Sequence, residues 1–197
     1  MGKGAITRNT ILTHAAELAS QVGLSGLTIG ALADDLELSK SGLFAHFRSK
    51  EALQIQVLEH ASQSFIERVV TPSLKTPRGE LRMRSLFDRW LEWGRDRTFP
   101  GGCVFVAAAS ELDDRPGPVR ERLVALQRQW LELLVVSFRK GVESGQFTSR
   151  GDAEQFAQDL YGIMLAFHHQ FRLMNDPAAE ARARHAFERI LSQAKTG

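Results

Sequence analysis

One cysteine stands in the whole chain, Cys103, so no intrachain disulfide can form, and this usage fits a reducing compartment. A buried structural thiol is favoured there over a redox sensor, because the residue precedes an apolar run. Long hydrophobic runs are missing too. The longest, Cys103 to Ala109, is far too short to span a bilayer. Met1 to Arg8 has no signal-peptide core. A soluble, cytoplasmic protein that does not enter the membrane is expected. There is no Gly-rich phosphate loop, no nucleophile elbow, no His-Glu-x-x-His pair and no triad motif. An enzyme is therefore the weaker class, and no catalytic residue, cofactor or metal site is expected. His168-His169 invites a metal reading, but adjacent helical residues diverge by about 100° and cannot readily grip one ion. Strand alternation and internal repeats are absent as well.

What remains is a chain that is 43% hydrophobic, with three Trp and twelve Phe among 197 residues, ample for one core or two small ones. Apolar spacing predicts an all-α fold, with helices at about 5–22, 28–35, 39–46, 50–71, 79–98, 102–112, 117–144, 152–174 and 177–194. Thr71-Pro72 and Thr76-Pro77 are expected to bracket a loop. Phe99-Pro100-Gly101-Gly102 and Asp113 to Pro118 break two further helices. Asp152 with Gln155 reads as a capping box, and Asn175-Asp176-Pro177 ends one helix and caps the next.

Thr28 to Phe47 carries the most information. Ile29, Leu32, Ala33 and Leu36 recur at helical spacing, with Thr28 as N-cap. Ser39 caps a second short helix, in which Leu43 and Phe47 lie four apart and can bury together. Lys40, Ser41, Phe44 and His46 are then free to meet a partner. Two short helices joined by a tight turn are the helix-turn-helix layout, whose second helix fits the major groove of DNA.

The flanks sharpen this reading. Upstream, Ile11, Ala15, Leu18, Ala19 and Val22 form a stripe that Gly23 ends. Downstream, Ser49-Lys50-Glu51-Ala52-Leu53 restarts a helix at once. From about residue 6 to residue 56 the sequence resembles the TetR family of bacterial transcription regulators. The carriers are the apolar first helix, the Thr that opens the second, and Leu38-Ser39-Lys40-Ser41-Gly42-Leu43-Phe44-Ala45-His46-Phe47 followed by Ser49 to Leu53. Two departures stand out. Phe44 replaces the Tyr usual in the family, keeping the ring and losing a hydroxyl that reaches phosphate. Glu37 stands where the family often has Gly; at positive φ it carries a strain of about 1 kcal/mol.

The resemblance implies a three-helix DNA-binding head, residues 1–53, joined to a larger helical ligand-binding and dimerisation body, residues 54–197. It implies a homodimer that represses from a palindromic operator in double-stranded DNA and is released by a small molecule. DNA contacts are then expected from Thr28, Ser39, Lys40, Ser41, Gly42, Phe44, His46 and Lys50. Lys50 and the free N–H groups beside it suit phosphate. Small Ser41 and Gly42 allow close approach, and Phe44 suits a thymine methyl. Residues 1–60 hold five Lys or Arg against six Asp or Glu, so this head has no net positive charge. Lys40, Arg48 and Lys50, with the arm residues Lys3 and Arg8, are expected to share one face.

In the body, Trp90, Phe105, Trp130, Phe138 and His168 are the candidates to line a pocket for an apolar effector, against a default of plain core. Phe156, Leu160, Ile163, Met164, Phe167, Phe171 and Met174 form one stripe, and Gly162 and Ala166 would permit a close helix crossing. The homodimer is therefore expected to form through the last two helices. The alternative is a helical small-molecule-binding or enzymatic protein whose DNA-binding head is unused.

Overall fold

The computed structural model describes residues 8–96, 99–148 and 150–195. Among these, all regular structure is helical, and one isolated bridge pairs Phe147 with Lys195. We number the helices α1 (Arg8–Gly26), α2 (Ile29–Asp35), α3 (Lys40–Phe47), α4 (Lys50–Phe65), α5 (Glu80–Arg95), α6 (Val104–Leu112), α7 (Pro118–Glu143), α8 (Ala153–Arg172) and α9 (Ala179–Ala194). The all-α expectation holds. Two compact units share the chain. One combines the segment ending at Ser64 with Asp96–Leu126; the other combines Phe65–Arg95 with the chain from Gln127 onward.

In the first unit, Ile11, Ala15, Ala16 and Ala19 of α1 are buried, with Leu32 and Ala33 of α2, Leu43 and Phe47 of α3, and Leu53, Val57 and Leu58 of α4. Helix α1 bends at Gly23, whose φ of 77° and ψ of 162° only glycine adopts readily. The bend frees the N–H groups of Leu24 and Ser25, and the Glu111 carboxylate of α6 accepts both, at 3.1 and 2.7 Å. Ser20 Oγ accepts from Gly101 N at 3.0 Å. A Cβ on Gly101 would run into the Ser20 backbone, so α1 requires glycine there.

In the second unit, the loop expected at Thr71-Pro72 is not formed. After Phe65 the chain makes a π-helical turn, Ile66–Val70, and then a last helical turn, Thr71–Leu74. Pro72 has no N–H to give Arg68 O, and its ring would crowd that carbonyl in a regular helix. The wider turn relieves this: Thr71 N bonds to Ile66 O, and Arg68 O takes Arg89 Nη1 at 3.4 Å. Asp152 does cap α8, accepting from Glu154 N and Gln155 N at 2.9 and 3.0 Å. The Gln155 side chain turns to Asp159 Oδ1 instead, so only half of the expected capping box exists.

Rings fill this unit. Phe87 stacks on Phe187 at 4.1 Å, Trp90 meets Phe167, and Phe138, Phe147 and Phe156 form a cluster. A ladder of ion pairs ties α5 to α9. Arg84 holds Glu80 and Glu188, Arg184 holds Asp88 and Glu180, and Arg95 also reaches Glu180. Lys195 and Arg84 keep the Glu80 carboxyl below its ordinary range, and Arg84 does the same for Glu188.

Replacing Gly23 with Ala is expected to destabilise the first unit by about 2 kcal/mol, through backbone strain and collision of the new Cβ with the Glu111 carboxylate. Urea denaturation followed by circular dichroism measures this. An unchanged midpoint would mean that the bend is not required.

Candidate nucleic-acid interface

The turn between α2 and α3 is built by side-chain caps. Thr28 Oγ1 accepts from Ala31 N at 3.0 Å, and Ser39 Oγ from Gly42 N at 3.2 Å. Both serve as N-caps. Glu37 adopts φ of 52°, so the sequence departure from glycine does carry strain. Arg48 takes φ of 59° as the cap of α3, which lets α4 start almost immediately; nothing in the local pattern foretold it. Ser49 Oγ then accepts from Ala52 N at 3.0 Å.

Leu43 and Phe47 anchor α3 from one side, both nearly inaccessible to solvent. Lys40, Ser41, Gly42, Phe44 and His46 are exposed, and Phe44 keeps 54% of its surface open. The helix thus offers solvent a small hydroxyl, a bare backbone at Gly42, an unburied ring and an imidazole. Groups of these kinds are chemically able to meet base edges and a thymine methyl.

The cationic candidates divide between two places. Lys40 folds back to α2, so a Cβ built on Gly30 would lie 3.7 Å from Lys40 Nζ and 3.8 Å from Thr28 Oγ1. Lys50 instead donates to Ser25 O at 2.6 Å. Ser25 is a junction: its N–H goes to Glu111, its hydroxyl takes Arg115 Nη1 at 2.9 Å, and its carbonyl takes Lys50. Gln54 reaches the neighbouring Leu24 O. A cleft of about 270 Å³ opens here, lined by Ser25, Lys50, Gln54, Arg115 and Arg120 among others. Glu111 and Arg115 lie more than 80 residues from Ser25, so no local sequence signal pointed to them. Arg8 donates to Gln56 Oε1 at 2.5 Å and is committed to α4; Lys3 lies outside the described residues.

The body candidates of the second unit take part in several ring contacts. Trp90 meets Phe167, Trp130 meets Phe65, and Phe138 lies with Phe147 and Phe156. Phe138 also borders a cleft of about 560 Å³ with Arg139, Val142, Gly151 and Asp152. Phe105 is half-buried on α6, in the other unit. His168 is half-buried on α8. Burial, helped by Arg172 and His169, pushes its pKa down to about 4, so its ring is neutral at physiological pH. No three His, Cys, Asp or Glu side chains gather as a metal site among the described residues, and no described helix is long and apolar enough to cross a membrane.

Comparison with known families decides what this head is. Residues 11–57 match the model of bacterial regulatory proteins of the tetR family, and residues 79–187 match the tetracyclin repressor-like C-terminal domain. The chain belongs to the TetR family. It is a helix-turn-helix regulator of transcription, as the head sequence implied. The HTH-type transcriptional repressor NemR of Escherichia coli is 27% identical over 169 residues, covering 85% of this chain and 84% of that protein. A TetR regulator from Chloroflexus aurantiacus superposes with a TM-score of 0.86 at 23% identity, over the full length of both chains. AibR, solved in complex with isovaleryl coenzyme A and operator DNA, gives a TM-score of 0.74 at 19% identity, over 93% of this chain and 97% of that one. Members of this family are regulators that bind DNA rather than enzymes as a class.

Two substitutions test the interface of this TetR protein. With Phe44 so exposed, Phe44→Tyr is expected to gain about 1 kcal/mol in operator affinity if the ring lies at the backbone, as one net hydrogen bond. Fluorescence anisotropy measures it, and a loss would show that the ring packs on an apolar base edge. Lys50→Ala is expected to weaken binding to all sequences alike and to lower the salt slope by about one unit. An unchanged slope would confine Lys50 to its bond with Ser25.

Proposed function

We propose that this regulator is a repressor that binds a palindromic operator as a homodimer and is released when a small apolar effector occupies its body. In this reading residues 1–53 are the DNA-binding head and residues 54–197 the ligand-binding and dimerisation body. Helix α3 carries the reading: its apolar residues anchor it, while Lys40, Ser41, Phe44 and His46 face solvent. Thr28, Ser39 and Lys50 position it through phosphates, and Gly42 permits close approach. That NemR is a repressor supports the first half of the proposal, and that AibR was solved with isovaleryl coenzyme A and operator DNA supports a fold of this kind taking a small molecule as well as an operator. The effector would favour a conformer whose two heads are wrongly spaced for DNA, which requires unequal affinity for the two conformers. Trp90, Phe105, Trp130, Phe138 and His168 remain our candidates for its lining. The site of action is the cytoplasm, where the operator is.

The dimer is assigned to the last two helices, α8 and α9. On α8, Phe156, Leu160, Met164 and Phe167 are buried within the protomer, whereas Gly162 and Ala166 are exposed and nothing lies within 4 Å of a Cβ built on Gly162. Ile163, Leu165 and Phe171 beside them are half-buried. Met174 does not join the buried stripe as the spacing suggested; with Leu173 it lies open to solvent, since the helix has already ended at Arg172. A small-residue face flanked by half-covered apolar side chains suits a close two-fold crossing.

Footprinting on the DNA flanking the protein's own gene tests the function. Two symmetric half-sites are expected, with recognition helices roughly 34–36 Å apart or a multiple of that. A single asymmetric half-site would overturn the homodimer, and no protection at all would favour a body that binds small molecules without using its head. Ala166→Arg is expected to give folded monomers with weak operator binding, because it buries an unpaired charge at the crossing. Light scattering that still finds dimers would move the interface to α7.

A further inference from the structure

The indole nitrogen of Trp130, on α7, is sealed from solvent, and no described group accepts its proton; the whole residue keeps only 8% of its surface exposed. An indole N–H can only donate, and a buried donor without an acceptor is rare in native proteins because its lost hydration is not replaced. An aromatic ring packs against it. Phe65 meets Trp130 edge-on, with centroids 5.0 Å apart and planes at 87°. The same Phe65 meets Trp93 at 5.3 Å and 86°, and the Arg68 guanidinium lies over Trp93 at 5.4 Å. One turn before Trp130, Gln127 Oε1 accepts from the Tyr161 hydroxyl of α8 at 2.7 Å. Phe65 is also the last residue of regular α4, immediately before the π-helical turn Ile66–Val70. Such turns recur at functional sites, where a helix changes register.

These observations converge. We propose that Trp130 is the polar anchor of the effector site: its indole N–H binds a hydrogen-bond acceptor, of the carbonyl class, on a planar aromatic ligand that displaces Phe65. This rests on the effector-released repressor proposed above and names the chemistry of its ligand. Once Phe65 gives way, the ring faces it had met edge-on, those of Trp93 and Trp130, are left to take the edge of an aromatic body. The unpaired donor supplies the selection, since a ligand lacking an acceptor leaves the N–H as it found it. It also supplies the coupling, because the hydrogen bond exists only in the conformer that has admitted the ligand. The π turn beside Phe65 is where that movement is absorbed.

The test uses the full-length protein labelled with nitrogen-15 and two probes of nearly equal shape, acetophenone and ethylbenzene. Three indole cross-peaks are expected, and Trp130→Phe identifies one by its loss. Acetophenone is expected to move the Trp130 indole proton downfield, and ethylbenzene to bind without that shift. Trp130→Phe is expected to bind acetophenone roughly tenfold more weakly while its affinity for ethylbenzene stays the same, the discrimination of about one hydrogen bond. The wild-type spectrum stands even if the variant folds poorly, because backbone-linked assignment can replace the variant. An indole proton that acetophenone does not move, equal loss of both probes, or binding of neither would overturn the proposal. Operator binding without any probe is measured alongside. Its absence would refute the repressor and leave the indole result standing, whereas normal operator binding with an unmoved indole refutes only the ligand chemistry.

Discussion

The Glu111 carboxylate takes the two backbone N–H groups that the bend at Gly23 leaves without helical partners, and the geometry of the DNA-binding unit depends on it. Without the bend, α1 would run straight past the point where the chain must turn into α2. Without the carboxylate, the bend would leave two donors at a partly buried site. Ser25 then passes the constraint on, since its hydroxyl and carbonyl hold Arg115 and Lys50. The start of α4, the end of α1 and the segment after α6 therefore meet at one residue. A shift of α6 would be felt first by the backbone that leads into the helix-turn-helix.

Much of this was legible because helices announce their starts locally. Thr28, Ser39 and Asp152 are caps whose partners lie two or three residues away, and the structure makes each of those bonds. Leu43 and Phe47 were readable as the anchoring pair because spacing of four is a property of the helix itself. The family's frequent glycine at the Glu37 position raised positive φ as a condition, and the structure meets it. What stayed hidden was non-local or of a kind that pattern cannot carry. Glu111 is a charged residue on a short helix, and its sequence surroundings say nothing of Leu24. Pro72 reads as a helix breaker; the structure instead widens one turn and lends the stranded carbonyl to Arg89. Gln155 matched a capping box, yet Asp159 four residues on was an equally good partner and won.

The exposed side of α3 and the choice of body aromatics differ in the same way. Once two residues anchor a short helix, the others must face outward, so most of the proposed contact set was readable as a group. Twelve Phe and three Trp permit many packings, and spacing alone does not say which ring meets which. Trp90, Trp130 and Phe138 lie in three different ring contacts. The α5–α9 ladder was equally illegible: the charges are plain in the sequence, but Arg84 is paired with Glu188 across 104 positions. Surface pairs of this kind contribute little each, and their value lies in fixing the register of two helices.

The placement of tryptophan has an optical consequence. Trp90, Trp93 and Trp130 are all the tryptophans of the chain, and all belong to the unit that lacks the helix-turn-helix. The DNA-binding unit contributes no indole emission. Intrinsic fluorescence excited at the red edge of the protein spectrum therefore originates in the other unit alone. The converse is an opportunity: an indole introduced at the open Phe44 position would be the sole emitter in that unit, a reporter on the exposed side of α3.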